Sequence, residues 1–416
     1  MSGSVDYWLG VRRFRPKNAP VAAQVLTRLE EHTLANRNKN PQTPRFSEAV
    51  TLLSGVSGGA VGNMFFASAY QNGSIPQDVL DRIIETAFSS GLSQAAKGFA
   101  YSDLLRAVFP FWVPNVYRDR GQALEKAWMV NAGCVSHEQP NNPAEALCNT
   151  LDKATLKGWQ ADVVAGKRPA LIFNATTAES GKRLAFSTSP YEPVPPVDPD
   201  APSSVIDFSL EYPDSDVLIS TAARLSSTFT YVSPAARPLP ASSLNDRPKS
   251  TFDLYTPLSP SDPMRLHVVD GGYYENTGIG ALVAWLNEAV TELHEKNLPK
   301  HILVITIGAF PPNTNPKYAG RRGAIFQFEA PFLTLESPQG QEHPAGAWRE
   351  LQLLIERLDK LGTKVIPVDF TFPRADAPLS WHLRDCDKQN LTAGWEQLAE
   401  RQQKLSEIDT FLSGNC

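Results

Sequence analysis

The sequence lacks a long hydrophobic segment, a run of basic residues and any cysteine pair of the C-x-x-C type. Its densest apolar cluster, Val108–Pro114, is far too short to span a bilayer. We expect no signal peptide, because residues 5–15 mix apolar side chains with three arginines. These absences predict a protein that is cytoplasmic or that contacts a membrane only peripherally.

Neither the charge nor the cysteine content favours nucleic acid or metal. The formal net charge is −5, which argues against a nucleic-acid partner. The cysteines are Cys134, Cys148, Cys386 and Cys416, and their spacing does not suit a zinc site. We predict free buried thiols, with a Cys134–Cys148 bridge as the alternative in an oxidising compartment. No metal and no cofactor are expected.

Two segments have an irregular composition. Residues 104–117 are aromatic and contain two prolines; we interpret them as a buried irregular connection, with a lid or membrane-contacting flap as the alternative. A proline-rich segment at about 188–204 predicts a surface insertion, because strand-like and helix-like segments resume directly after it. We therefore expect a single domain over residues 1–416.

The rest of the sequence alternates short apolar runs with amphipathic stretches of helical spacing. With 416 residues, 42% of them hydrophobic, the chain is long enough for one large α/β domain. We predict strands at 49–53, 170–175, 184–186, 266–269, 302–307 and 365–368. We predict helices at 21–32, from 58 onward, and at 75–96, 217–225, 278–295, 345–361 and about 391–412. This pattern is typical of a three-layer α/β/α fold with a mostly parallel central sheet.

The most informative motif is a G-x-S-x-G sequence between a predicted strand and a predicted helix. It places Ser57 between Gly55 and the pair Gly58 and Gly59. A serine on such a turn exposes its hydroxyl at a helix N-terminus, where the N–H of Gly58 can hold a developing oxyanion. The motif alone is a weak signal, because a tight strand-to-helix turn also needs glycines and then carries a passive serine.

A serine hydroxyl needs a base, and Asp270 is the first candidate. It ends a predicted strand and precedes Gly271 and Gly272. Active sites of parallel sheets lie at the carboxyl ends of strands, where Ser57 also falls. Partial burial would raise the pKa of this carboxyl and make it a better base. The alternative is an ordinary Asp-Gly turn, after which Asn276 is predicted to cap the helix from Gly278.

A histidine is the second candidate base, as in Ser-His-Asp triads. Four histidines follow Asp270 in the chain: His294, His301, His343 and His382. Only His382, in the segment Pro378–Leu383, has a distinctive local setting. His267 precedes Asp270 by three positions, so its side chain should point to the opposite face of the strand.

The two motifs together resemble those of a known family. Ser57 in its glycine turn and Asp270 before Gly271 and Gly272 look like the serine–aspartate dyad of patatin-like phospholipases. Further resemblance to bacterial members lies in three segments: Thr221–Phe229 with Tyr231–Pro234, Asp270–Gly278 and Pro378–Leu383. The likeness extends from about Phe46 to Leu383.

The resemblance implies a function and site residues. Ser57 would be the acyl-accepting nucleophile and Asp270 the base that activates first the serine and then water, without a histidine. The substrate would be a phospholipid, a lysophospholipid or a neutral acylglycerol, cleaved through an acyl-enzyme. The fold would be the patatin-like three-layer α/β/α domain.

One family element is missing from the sequence. Patatin-like proteins carry a glycine-rich arm ahead of the serine, which supplies oxyanion donors. Here the only glycines before Gly55 are Gly3 and Gly10. We therefore expect the chain to lack the family's first strand and glycine-rich loop, or the arm to have degenerated. Two alternative functions follow: a catalytically impaired lipid-binding or scaffold relative, and a Ser-Asp-His α/β-hydrolase esterase.

Overall fold

The structure is a computed structural model. It describes residues 6–12, 18–89, 91, 120–134, 144–192, 205–228, 266–293, 298–308, 339–372 and 383–414. The strands are β1 Asp6–Arg12, β2 Val50–Val56, β3 Ala170–Thr177, β4 Arg183–Ser187, β5 Val205–Asp207, β6 Val268–Asp270, β7 His301–Gly308 and β8 Lys364–Thr371. The helices are α1 Asn18–Lys39, α2 Phe46–Ala49, α3 Gly58–Ser68, α4 Leu80–Phe88, α5 Arg120–Asn131, α6 Ala144–Leu151, α7 Leu156–Val164, α8 Phe208–Glu211, α9 Ile219–Ser226, α10 Ile279–Leu293, α11 Gln339–Lys360, α12 Asp385–Glu396 and α13 Arg401–Leu412.

These strands form one mixed sheet that is mostly parallel. Their order is β5-β4-β3-β2-β1-β7-β8, and β6 pairs with β3. The pairs along the centre, from β3 through β2, β1 and β7 to β8, are all parallel. β4 and β6 pair with β3 in the antiparallel direction, and β5, which is parallel to β4, therefore also runs opposite to β3. The predicted α/β class and mostly parallel sheet are therefore confirmed.

Helices cover both faces of the sheet, as the alternation along β2 illustrates. Leu53 joins a large core cluster that includes side chains of α1, α3 and α9. Its neighbour Leu52 points the other way, into a second cluster with α10 and α11. Because successive side chains of a strand point to opposite faces, both faces of β2 are buried. This arrangement is compatible with a three-layer α/β/α fold.

The expectation that the first strand is missing is wrong. β1 precedes the serine strand in the chain and lies between β2 and β7, parallel to both. β1 has seven residues, with charged side chains only at its ends, Asp6 and Arg12, and a paired strand on each side satisfies its backbone groups. Gly10 lies within β1, opposite Ser54 of β2. Residues 13–17, where a glycine-rich loop would follow, lie outside the described residues, and their sequence contains no glycine.

Two other expectations need correction. The single C-terminal helix predicted at about 391–412 is two helices, α12 and α13, because Glu400 adopts a left-handed backbone conformation with φ 56°. Cys134 and Cys148 are not free thiols; they are bonded to each other, with their Cα atoms 4.9 Å apart. Cys134 follows α5 and Cys148 lies on α6, so the bridge joins these two helices.

Several predicted features lie partly or wholly outside the described residues. They include the aromatic cluster Val108–Pro114 and most of the proline-rich insertion, from residue 193 to residue 204. The helix predicted at 75–96 is described to Ser89 and consists of a short 3₁₀ turn followed by α4. In the described parts of the chain, no helix has the length and apolar character that a bilayer crossing requires.

Candidate active site

Ser57 occupies a strained turn between β2 and α3. Its φ of 54° and ψ of −127° lie outside the regions that a serine ordinarily adopts. Such strain persists only where the surroundings enforce it. Gly55 shows one constraint, because a Cβ added there would lie 2.7 Å from the backbone nitrogen of Ala60. The predicted strand, glycine turn and helix are all present, and they hold Ser57 where its hydroxyl projects from the turn.

Gly58 and Gly59 are the first two residues of α3. The first N–H groups of a helix have no acceptor within it, and the helix dipole makes that end electropositive. The N–H of Gly58, the residue after Ser57, is therefore available to a developing negative charge. Both glycines are buried, so a charge held there would be poorly screened by water.

Asp270 lies within hydrogen-bonding distance of Ser57. The Ser57 hydroxyl donates to Asp270 Oδ2 at 2.8 Å. The other carboxylate oxygen, Oδ1, accepts from the Gly272 N–H, also at 2.8 Å. Ser57 is 4% exposed and Asp270 is fully buried. The structure thus brings together the two residues that the motifs singled out, and the carboxylate is fixed by a bond to each oxygen.

Burial controls the protonation of Asp270. Removal from water raises its pKa from the ordinary value of 3.8 to about 7, although the bonds from Gly272 and Ser57 act in the opposite direction. A carboxylate that exchanges its proton near neutral pH is a stronger base than an exposed aspartate and is still ionised in part. The serine hydroxyl therefore faces a group that can accept its proton.

The sheet explains how these distant residues meet. β2 pairs with β3 only as far as Val56 and Asn174. Asp270 of β6 takes the next position, opposite Ala175 of β3. β4 occupies the other edge of β3 at that position, so β6 lies on the same edge as β2, directly beyond its end. The ends of β2 and β6 therefore face each other along β3, which brings Ser57 and Asp270 together.

Glycines at the aspartate turn allow this close packing. A Cβ added to Gly271 would lie 2.7 Å from the carbonyl carbon of Asn174 and closer still to its oxygen. Gly272 donates its N–H to Asp270. Asn174 in turn donates from Nδ2 to the Gly55 carbonyl at 3.0 Å. The serine turn and the aspartate turn thus pack on the same residue of β3.

Asn276 does not cap the helix as predicted. Thr277 accepts from the Ile279 N–H at 3.1 Å, and Glu275 accepts from the Gly280 N–H at 3.3 Å. The Asn276 side-chain oxygen is buried and has no hydrogen-bond partner among the described residues. Sequence reasoning chose the most common capping residue type, whereas the turn uses the residues on either side of it.

A buried ion pair holds the loop that follows Asp270. Arg183 of β4 donates to Glu275 at 3.1 Å, and both side chains are almost completely buried. Burial raises the pKa of Glu275, while Arg183 lowers it. The Arg183 guanidinium also lies 5.0 Å from the ring centre of Tyr274. Sequence reasoning missed Arg183, because nothing in its local pattern indicates a partner 92 positions away.

Sequence reasoning also gave no role to Ser226, at the end of α9. Its hydroxyl accepts from the Ser57 N–H at 3.1 Å and donates to the Asn174 carbonyl at 2.6 Å. The resemblance had identified the surrounding small-residue segment as similar to one in the family. The resemblance therefore pointed to the segment, but it did not indicate that Ser226 is the residue in contact with Ser57.

No described histidine stands beside Ser57. His267 lies just before β6, and its ring contacts Glu179 at the surface. His301 begins β7, and its ring packs against Phe411. His294 and His382 lie outside the described residues, and only the backbone of His343 is described. Within the same part of the chain, no three His, Cys, Asp or Glu side chains cluster as metal ligands would.

The comparisons with known proteins add no relative. No family model matches the sequence, and a search of curated proteins found no match. The geometry of Ser57 and Asp270 is therefore the main basis for assigning a function.

Proposed function

We propose that this protein is a serine acyl hydrolase of the patatin-like type, which cleaves carboxylic esters of lipids through an acyl-enzyme. One observation carries the proposal: the Ser57 hydroxyl donates at 2.8 Å to a buried aspartate. The hydroxyl stands at the N-terminus of α3, where backbone N–H groups can receive an oxyanion. The resemblance to patatin-like phospholipases supports the lipid substrate and the assignment of the fold to that family.

The first half of the reaction acylates Ser57. Asp270 accepts the hydroxyl proton as Oγ attacks the ester carbonyl carbon. The carbonyl oxygen becomes an oxyanion, which the N–H of Gly58 stabilises. The tetrahedral intermediate then collapses, the carbon–oxygen bond to the alcohol breaks, and Asp270 returns the proton to the departing oxygen.

The second half restores the enzyme. Asp270 accepts a proton from water, whose oxygen attacks the acyl carbonyl carbon. The second tetrahedral intermediate expels Ser57 Oγ, which recovers its proton from Asp270, and the carboxylic acid leaves. The raised pKa of Asp270 suits both directions of proton transfer, because the group can accept and release a proton near neutral pH.

The direct contact favours this dyad over a Ser-His-Asp triad. In a triad the imidazole stands between the serine and the acid. Here the two side chains touch, and the second carboxylate oxygen is taken by Gly272. His382 remains the alternative base that the sequence offers, so its variant provides the matched control.

One observation favours a second candidate, a lipid-binding protein without turnover. The sequence has no glycine between Gly10, which lies within β1, and Gly55. The glycine-rich arm that supplies oxyanion donors in the resembling family is therefore missing from the sequence. Loss of one oxyanion donor typically lowers turnover by about 10²- to 10³-fold.

Hydrolysis assays separate these possibilities. We expect the wild-type protein to release fatty acid from dispersed phosphatidylcholine or from p-nitrophenyl butyrate. Ser57→Ala should abolish release and Asp270→Asn should lower it by about 10²- to 10⁴-fold, whereas His382→Ala should retain it. Vesicle binding without release by folded wild-type protein would favour the second candidate. Loss of release in His382→Ala but not in Asp270→Asn would contradict the dyad.

Location is a separate proposal. Peripheral contact with a membrane follows from the lipid substrate that we propose. The Cys134–Cys148 disulfide favours an oxidising compartment over the cytoplasm that the sequence suggested, because such bonds persist mainly where thiols are not kept reduced.

A further inference from the structure

The buried hydroxyl of Ser226 joins the two halves of the candidate site. Ser226 is the last residue of α9 and is fully buried. Its oxygen accepts the backbone N–H of Ser57 at 3.1 Å and donates to the Asn174 carbonyl at 2.6 Å. A hydroxyl has one proton to donate and lone pairs to accept, so Ser226 serves the nucleophile turn and β3 at the same time.

The Asn174 carbonyl also supports the aspartate turn. Gly271 packs so closely on this peptide that a Cβ would not fit between them. Asp270 immediately precedes Gly271, and Gly272 binds the Asp270 carboxylate. Ser226 is therefore bonded to the residue that carries the nucleophile and to the peptide on which the turn of the base rests.

The helix that carries Ser226, α9, is also held by contacts to α5. Arg224 pairs with Glu125 of α5, and the Thr221 hydroxyl donates to the same carboxylate at 3.1 Å. Two residues after Ser226, the Thr228 carbonyl accepts the Asp270 N–H at 2.9 Å. The end of α9 and the residues just after it thus contact the backbone of both Ser57 and Asp270.

We propose that Ser226 is a positioning residue that sets the separation of the Ser57 hydroxyl and the Asp270 carboxylate. The inference rests on the proposed function, because the distance between these two groups matters for catalysis only if Asp270 activates Ser57. It has a second consequence: because the Ser57 N–H is occupied by Ser226, this group is unavailable as an oxyanion donor, and the role falls to the N–H groups that follow it.

The neighbouring serine offers a matched control. Ser227 is buried like Ser226, but among the described residues its hydroxyl donates only to the Ala223 and Arg224 carbonyls of α9. Ser226→Ala and Ser227→Ala remove the same group from adjacent buried positions. Only the first removes a contact to Ser57, so a difference between them reports positioning rather than general loss of a buried hydrogen bond.

Two readouts test the proposal. The first is the rate at which a fluorophosphonate modifies Ser57 across pH. We expect Ser226→Ala to be slower by about 5- to 150-fold, which corresponds to leaving the buried Ser57 N–H unpaired, and Ser227→Ala to match wild type. The second is the carboxyl titration of Asp270 by ¹³C NMR. In Ser226→Ala the midpoint should rise, because the Ser57 hydroxyl bond lowers the pKa of Asp270.

The readouts distinguish failure of this inference from failure of the proposed function. Wild-type protein that resists the fluorophosphonate contradicts the hydrolase, whereas the NMR titration still tests the role of Ser226. A wild-type rate and midpoint in folded Ser226→Ala overturn the inference, and so does an equal change in Ser227→Ala. If Ser226→Ala does not fold, Ser226→Cys, which nearly preserves the volume, should show the slower rate and raised midpoint. Wild-type behaviour of that variant would also overturn the inference.

Discussion

Replacing Asp270 with asparagine should remove a loss of stability that the wild-type protein undergoes as the pH rises. The native carboxyl has a pKa of about 7 because it is buried, compared with 3.8 when it is exposed to water. Between these values, the unfolded chain loses the proton while the native protein keeps it. The free energy of unfolding therefore contains a contribution that is complete below 3.8 and is lost as pH rises through 7. Asparagine is never ionised and escapes this loss.

The size of the effect follows from the difference in pKa. About 3 pKa units at 1.36 kcal/mol each correspond to about 4 kcal/mol over the whole window. Between pH 5 and pH 8, we expect the wild-type protein to lose about 3 kcal/mol of stability relative to Asp270→Asn. The difference should level off above pH 8, where the native carboxyl is fully ionised.

Urea unfolding of both proteins at several pH values between 5 and 9 measures this difference. Asp385→Asn is the control, because that side chain is 95% exposed and its loss should leave the pH dependence close to that of wild type. Parallel stability curves for wild type and Asp270→Asn would refute the reasoning. They would mean that Asp270 is not a buried group with a raised pKa, and its role as a base would lose its physical foundation.

Two further substitutions test the packing of the site and of its surroundings. Gly271→Ala should destabilise the protein by about 1–3 kcal/mol and abolish fluorophosphonate labelling, because the new Cβ meets the backbone of β3; Gly346→Ala, in open space, is the control in the same unfolding assay. Cys134→Ser should lower the free energy of unfolding by about 3 kcal/mol, since the bond to Cys148 closes a loop of 14 residues. Reductant should destabilise wild type to the level of Cys134→Ser but leave that variant unchanged, and Cys386→Ser, at an exposed free thiol, should respond like wild type.

The local parts of the site could be predicted from the sequence. The glycines around Ser57 mark a sharp turn, in which Gly55 has no room for a Cβ, and the apolar runs on either side mark the strand and the helix. The glycines after Asp270 mark a second turn in the same way. Each signal lies within about ten residues, so it can be recognised without knowing how the strands pair.

The placement of Asp270 was predicted partly for the wrong reason. We expected both residues at the carboxyl ends of parallel strands, but β6 runs antiparallel to β3. Asp270 meets Ser57 because β6 pairs with the same edge of β3 as β2 does, just beyond the end of β2. Three residues carry no periodic signal that separates parallel from antiparallel pairing, so this geometry could not be read from the sequence.

Features that depend on distant partners were also missed. Arg183 and Ser226 look ordinary in sequence, and only the fold brings them to Glu275 and Ser57. The break between α12 and α13 was missed because apolar spacing continues through it, and only the backbone of Glu400 reveals the turn.

The most direct test of the central claim is to map the site of fluorophosphonate modification by mass spectrometry. We predict a single adduct on Ser57 in wild-type protein, with a rate that rises with pH through about 7 as Asp270 loses its proton. The adduct should be absent from Ser57→Ala and form far more slowly in Asp270→Asn. An adduct on another residue, or none in folded wild-type protein, would contradict the account.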